Sequence, residues 1–172
     1  MEIINGTEIA NEIKTRLKKE MAKESISPAI AIILLGDNKQ DFTYVELKRK
    51  ATEFIGGKAH IYKLPAETGR EDLLGIIDML NNDPNIDGIL LQLPLPASLE
   101  IYTEEFLEKI AKNKDIDGFN PINRGLLTGD NPNFISCAVL AALDIINRFC
   151  PEWKGKQAVL LGDSFDLIIP LM

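Results

Sequence analysis

Ala29-Ile-Ala-Ile-Ile-Leu-Leu-Gly-Asp-Asn38 is the stretch that decides the fold. Its apolar run is unbroken from Ala29 to Leu35 and stops at Gly36-Asp37-Asn38. A run with no polar alternation marks a strand covered on both faces, and the stop marks a turn. Upstream, Thr7 is placed as the N-cap of a helix through about Glu24, with Ile9, Ile13, Leu17 and Met21 on one face. Downstream, a helix from about Asp41 to Ile55 is stopped by Gly56-Gly57. Then follow a strand over His60 to Leu64, a helix over Glu71 to Leu80 and a turn at Asn81 to Asn85. A strand over Gly88 to Leu93 and a helix over about Thr103 to Ala111 complete the series. Strands alternating with helices imply right-handed crossovers and a parallel sheet. The fold class is therefore α/β, a mostly parallel sheet flanked by helices. Ligands bind such sheets at the carboxyl ends of the strands, where Gly36-Asp37 and Gln92-Leu93 lie.

Beyond this lies a second pattern. Cys137 to Phe149 has no polar residue before Asp144 and is expected to be a well-buried helix. Pro151 to Lys156 is a linker, and Gln157 to Leu161 is a new buried strand ending in Gly162-Asp163-Ser164. Only eight residues follow Ser164, so the expectation is the opening of a Rossmann-like dinucleotide-binding domain that is incomplete. The expected organisation is a first domain over residues 1–135, a linking helix over 136–150 and the start of the second domain over 151–172.

Composition narrows the function. The net charge is -7 and the pI about 4.8, without the basic face that nucleic acid requires. The N-terminus carries neither the basic nor the apolar region of a signal peptide, and no run approaches the roughly 20 apolar residues that span a bilayer. Two cysteines, Cys137 and Cys150, make no disulfide framework and fit a reduced, cytoplasmic setting. The one histidine, His60, reads as structural, and no Cys/His cluster suggests a metal.

Three segments each place polar side chains at the end of an apolar element. They are Tyr44-Val-Glu-Leu-Lys48, Asp87-Gly-Ile-Leu-Leu-Gln-Leu-Pro-Leu-Pro96 and Lys114-Asp-Ile-Asp-Gly-Phe119. At about 100° per residue, Tyr44, Lys48, Ala51 and Ile55 fall in one stripe flanked by Leu47 and Phe54, with Glu46, Arg49, Lys50 and Glu53 turned away. A lysine in an apolar cleft can have a lowered pKa and act as acid or base. Alternatively Lys48 snorkels from the edge of the stripe. Gln92 either delivers an amide to a cleft or satisfies loop backbone. Asp115 and Asp117 before Gly118 equally suit an Asx turn.

At these segments, and at Ile4-Asn-Gly-Thr7 and Gly36-Asp-Asn38, the chain resembles the bifunctional methylenetetrahydrofolate dehydrogenase/methenyltetrahydrofolate cyclohydrolase family, up to about Leu127. The resemblance implies that Lys48, Gln92 and Asp117 are catalytic. It implies that Tyr44 borders the folate, Gln92 sets the state of Lys48, and Asp117 anchors the pterin. Leu91, Leu93 and Pro94 join them as substrate-binding residues. It further implies a tetrahydrofolate substrate, NADP or NAD as cofactor and a homodimer.

The chain also departs from the family. Ser136-Cys-Ala-Val139 stands where the family has Pro-Cys-Thr-Pro, and Asp41 where it has serine. At the cofactor residues Gly162, Asp163 and Ser164, Asp163 replaces an arginine that would pair with a 2′-phosphate, and Ile168 replaces a glycine. Three functions stay open: the bifunctional enzyme, a cyclohydrolase that has lost dehydrogenase activity, and a non-catalytic folate-binding module.

Overall fold

The computed structural model describes residues 3–129 and 131–162. Helix α1 (Gly6–Glu24) leads into β1 (Ala29–Leu35), α2 (Lys39–Ile55), β2 (Lys58–Leu64), α3 (Arg70–Asn82) and β3 (Gly88–Leu91). Short helices α4 (Ala97–Glu100), α5 (Thr103–Lys109) and α6 (Pro121–Leu126) precede α7 (Cys137–Phe149). The chain forms two compact units, Met1–Thr103 and Glu104–Met172.

The first unit is the expected α/β layer. Its sheet is parallel, in the order β2-β1-β3, with Ile32 opposite both Ile61 and Leu90. Strand β1 is buried at every residue but Ile30, and β3 throughout, so the unbroken apolar run of each is explained by cover on both faces. Strand β2 is an edge, where exposed and half-buried residues alternate and His60 faces out. Helix α3 inserts Leu73, Ile77 and Leu80, one helical stripe, into the core. Helix α2 packs on β1, β2 and α1.

Several boundaries differ for local reasons. The N-cap of α1 is Asn5, whose side chain accepts from the N–H groups of Thr7 and Glu8; Thr7 lies inside the helix. Gly56 ends α2 at φ +99°, a conformation that side chains avoid, as the Gly-Gly pair suggested. Strand β3 ends at Leu91, two residues before the cis Leu93-Pro94 bond.

Two expectations in the second unit are corrected. Helix α7 forms over Cys137–Phe149 but is not well buried: Val139 is its one buried residue, while Leu140, Ile146 and Phe149 are exposed. Residues 157–161 form no strand, and Val159 and Leu161 stand 82% and 89% exposed. A strand requires a ladder partner, and none is present among the described residues.

Asp87 clamps the start of the sheet. Its N–H donates to the Ala29 carbonyl at 2.8 Å, and its carboxylate accepts the Ala29 N–H at 2.8 Å. Asp87→Ala strips that N–H of its acceptor and is expected to cost about 1 kcal/mol in urea unfolding, with an unchanged denaturant slope.

Candidate active site

Helix α2 carries Lys48 to the sheet on a line that keeps Lys48, Ala51 and Ile55 of the expected stripe half-buried but leaves Tyr44 out. Val45 is fully buried and docks the helix. Asp41, Lys48, Thr52 and Ile55 are half-buried on the same side. Tyr44, Leu47 and Phe54, assigned to the apolar stripe, are exposed at 62%, 58% and 47%. Glu46 and Arg49, expected to point away, are half-buried and paired at 2.9 Å, with Arg49 also bonding Glu53 at 2.7 Å. The Arg49 bond lowers the Glu46 pKa, and the two carboxylates raise that of Arg49. The helix rotates to bury Val45 and lays an ion pair along its flank.

Lys48 Nζ donates to Gln92 Oε1 at 3.0 Å. The Gln92 amide is held in turn: its Nε2 donates to the Leu93 carbonyl at 2.7 Å, and its N–H extends the ladder to Ile33 O at 2.9 Å. Gln92 thus follows the last residue of β3 and presents an oxygen to the lysine. The chain passes from β1 to β2 on one side and returns to β3 on the other, so the β1–β3 carboxyl ends form a topological switch point. Lys48 and Gln92 meet there. Tyr44, one turn before Lys48, offers an exposed ring on the same helix. Leu93 is half-buried and Pro94 exposed, whereas Leu91 is a core residue at 3% exposure and presents little surface to a ligand.

On the other side of β1 lies an open cleft of about 360 Å³, lined by Gly36, Asp37, Lys39, Phe42, Thr43 and Lys63. Lys63 bonds Asp37 at 2.6 Å and lowers its pKa. This cleft does not contain Lys48 or Gln92.

Asp117 belongs to the second unit, where it is half-buried in the turn before α6. Its neighbour Asp115 is buried and accepts from the N–H groups of Phe119 and Asn120 and from the Asn123 amide. Asn120 caps α6 by accepting the Ile122 N–H, and its amide donates to carbonyls of Leu107, Glu108 and Ile110. Sequence reasoning passed over these asparagines. Asn120-Pro121, an N-cap followed by proline at N1, was the available signal.

The residues that match the tetrahydrofolate dehydrogenase/cyclohydrolase catalytic-domain family run from 4 to 117, and so take in Tyr44, Lys48, Gln92 and Asp117. The chain belongs to that family. The bifunctional protein FolD 1 of Syntrophomonas wolfei is 54% identical over 99% of this chain and 62% of its own length. A 5,10-methylenetetrahydrofolate dehydrogenase structure from Bombyx mori is 36% identical, with a TM-score of 0.94 over 99% of this chain and 59% of its own. A Trypanosoma brucei methylenetetrahydrofolate dehydrogenase-cyclohydrolase, solved with NADP and an inhibitor, is 30% identical with a TM-score of 0.92, covering 99% of this chain and 59% of its own. The chain thus spans about three-fifths of the length of these relatives.

Within the family frame, the expected cofactor residues are split. Gly162 is described, with φ +141°, while Asp163 and Ser164 lie outside the described residues, as does Ile168. Among the described residues no group of His, Cys, Asp or Glu could hold a metal ion, and no helix is long and apolar enough to cross a membrane.

Gly118 fixes the Asp117 turn. Its φ is +70°, and a Cβ there would lie 3.1 Å from Ser136 N and 3.2 Å from Phe134 O. Both neighbours are backbone and cannot swing aside. Gly118→Ala is expected to lower unfolding free energy by about 1–3 kcal/mol, read from the denaturation midpoint.

Proposed function

We propose that this chain acts in folate-dependent one-carbon metabolism, as the part of a methylenetetrahydrofolate dehydrogenase/methenyltetrahydrofolate cyclohydrolase that holds the folate and moves its protons. The observation that carries this reading is the 3.0 Å bond between Lys48 and Gln92 at the switch point of the sheet, in a chain of this family. Interconversion of methylene-, methenyl- and formyltetrahydrofolate needs a proton relay beside the one-carbon unit, and Lys48 supplies it.

In the hydrolytic half-reaction, water adds to the cationic methenyl carbon and loses one proton to solvent, giving a neutral carbinolamine. The carbinol oxygen then releases its proton to form the formyl C=O. The bond from carbon to N5 breaks, and N5 takes up a proton. Lys48 Nζ carries that proton from oxygen to nitrogen. Gln92 keeps Nζ in place by accepting one of its hydrogen bonds. In the same reading Tyr44 stacks on the folate, Leu93 and Pro94 line its path, and Asp117 bonds the pterin ring. The working form is a cytoplasmic homodimer.

A nicotinamide dinucleotide accepts hydride from methylenetetrahydrofolate when bound. The residues at the expected cofactor loop do not fit NADP. By the family resemblance, the residue after Gly162 is a carboxylate, Asp163, where a 2′-phosphate would call for a cation. NADP titrated into this chain by calorimetry is expected to give no saturable micromolar binding, and saturation in that range would reverse the assignment.

The test of the main reading is Lys48→Met. Cyclohydrolase turnover is expected to fall by at least about a hundredfold, while the affinity for 5-formyltetrahydrofolate stays within about threefold. Binding by the parent chain without any turnover would instead identify a folate-binding module.

A further inference from the structure

The carboxylate of Asp115 is almost wholly buried, at 2% exposure for the residue, and has no part in the proton relay. Its Oδ1 accepts the Phe119 N–H at 3.1 Å, and its Oδ2 accepts the Asn120 N–H at 2.9 Å and Asn123 Nδ2 at 2.8 Å. These bonds reach forward across Ile116, Asp117 and Gly118, so one side chain closes a loop with Asp117 at its middle. Asn123, with no exposure, is itself fixed: its Nδ2 also donates to Lys112 O at 2.8 Å, and its Oδ1 accepts Asn133 Nδ2 at 3.3 Å. The far side of the loop is set by the backbone of Phe134 to Ser136 against Gly118. A buried carboxylate is costly to keep unless its hydrogen bonds are made, and here they are spent on one turn.

We propose that Asp115 is a positioning residue for the folate, acting through Asp117. This inference rests on the folate reading above. A loop closed from within holds Asp117 in one place before the ligand arrives, so binding does not have to order it. Asp115 touches no substrate in this account. Its effect falls on affinity, not on the proton relay at Lys48.

The test is a double-mutant cycle on the chain, with Asp115→Asn, Asp117→Asn and the pair, measured as calorimetric affinity for 5-formyltetrahydrofolate. Each single variant is expected to weaken binding about tenfold, and the pair no more than Asp117→Asn alone, since Asp115 acts through the residue already lost. In turnover, Asp115→Asn is expected to raise KM about tenfold with kcat within about threefold. Losses that multiply to about a hundredfold in the pair would overturn the inference, because Asp115 would then support binding generally. Parental affinity in Asp115→Asn, beside a weakened Asp117→Asn, would overturn it too and leave the folate reading standing. No binding by the parent chain, or none of the expected loss in Asp117→Asn, would overturn the folate reading and this inference with it. Should Asp115→Asn lack a cooperative melt, Asn123→Ser removes one of the three donors and takes its place in the cycle, with the same outcomes.

Discussion

The structure of the first unit depends on β1 being hydrogen-bonded on both edges and covered on both faces. Ala31, Ile32 and Ile33 have no exposed surface, and their strand pairs in parallel with β2 on one side and β3 on the other. A slip of one residue would invert every side chain of β1, and with both faces packed there is no face to receive the error. The register in turn places Leu64, Leu35 and Leu91 near one end of the sheet. All that follows those residues, including Gln92, is delivered to the same side. Gln92 itself continues the ladder through Ile33, so the position of its amide is set by the core and not by the loop after it. Lys48 reaches that amide because Val45, one turn earlier, locks α2 onto the sheet.

The second unit is organised differently. Helices α5 and α6 span seven and six residues, too short to persist on propensity alone. Their ends are joined by side-chain amides. Asn120 collects three carbonyls at the end of α5 while capping α6, and Asn123 takes the Lys112 carbonyl and the Asp115 carboxylate. Polar groups that would be a liability if unsatisfied become fixed joints once each has its partner. A turn held this way has a definite shape, which apolar packing of so few residues would not give.

These contrasts explain what was legible in the sequence. Strands β1 and β3 were, because continuous apolar runs have few other uses, and so was the end of α2 at Gly56-Gly57. The pairing of Lys48 with Gln92 was legible through motif, not periodicity. The helical stripe put Tyr44 and Leu47 inward, and the structure turns them out, because periodicity ranks residues by type while the docking of a helix is decided by which side chain fits the sheet. Val45 fits. Helix α7 is equally instructive: its composition forecast its existence but not its cover, since burial is a property of what lies opposite. The run at 157–161 failed as a strand for the same reason. Asp115 was weighed only as a turn former, because the donors that make it a joint lie up to eight residues away in sequence.

The choice of a neutral amide beside Lys48 bears on what the site can do. A carboxylate at position 92 would fix the lysine in a salt bridge. An amide accepts one hydrogen bond and orients the nitrogen. The bond from Gln92 Nε2 to the Leu93 carbonyl prevents the amide from presenting its NH₂ to the lysine instead, so the donor order along Lys48, Gln92 and Leu93 is fixed by the backbone. A lysine nitrogen carries three protons in its charged form, and Gln92 takes one, which leaves two for water or a ligand at the same point. Tyr44, one helical turn before Lys48, and Pro94, two residues after Gln92, are both exposed. The fold therefore fixes the Lys48 nitrogen through the sheet, since the amide that holds it is itself a rung of the β1–β3 ladder.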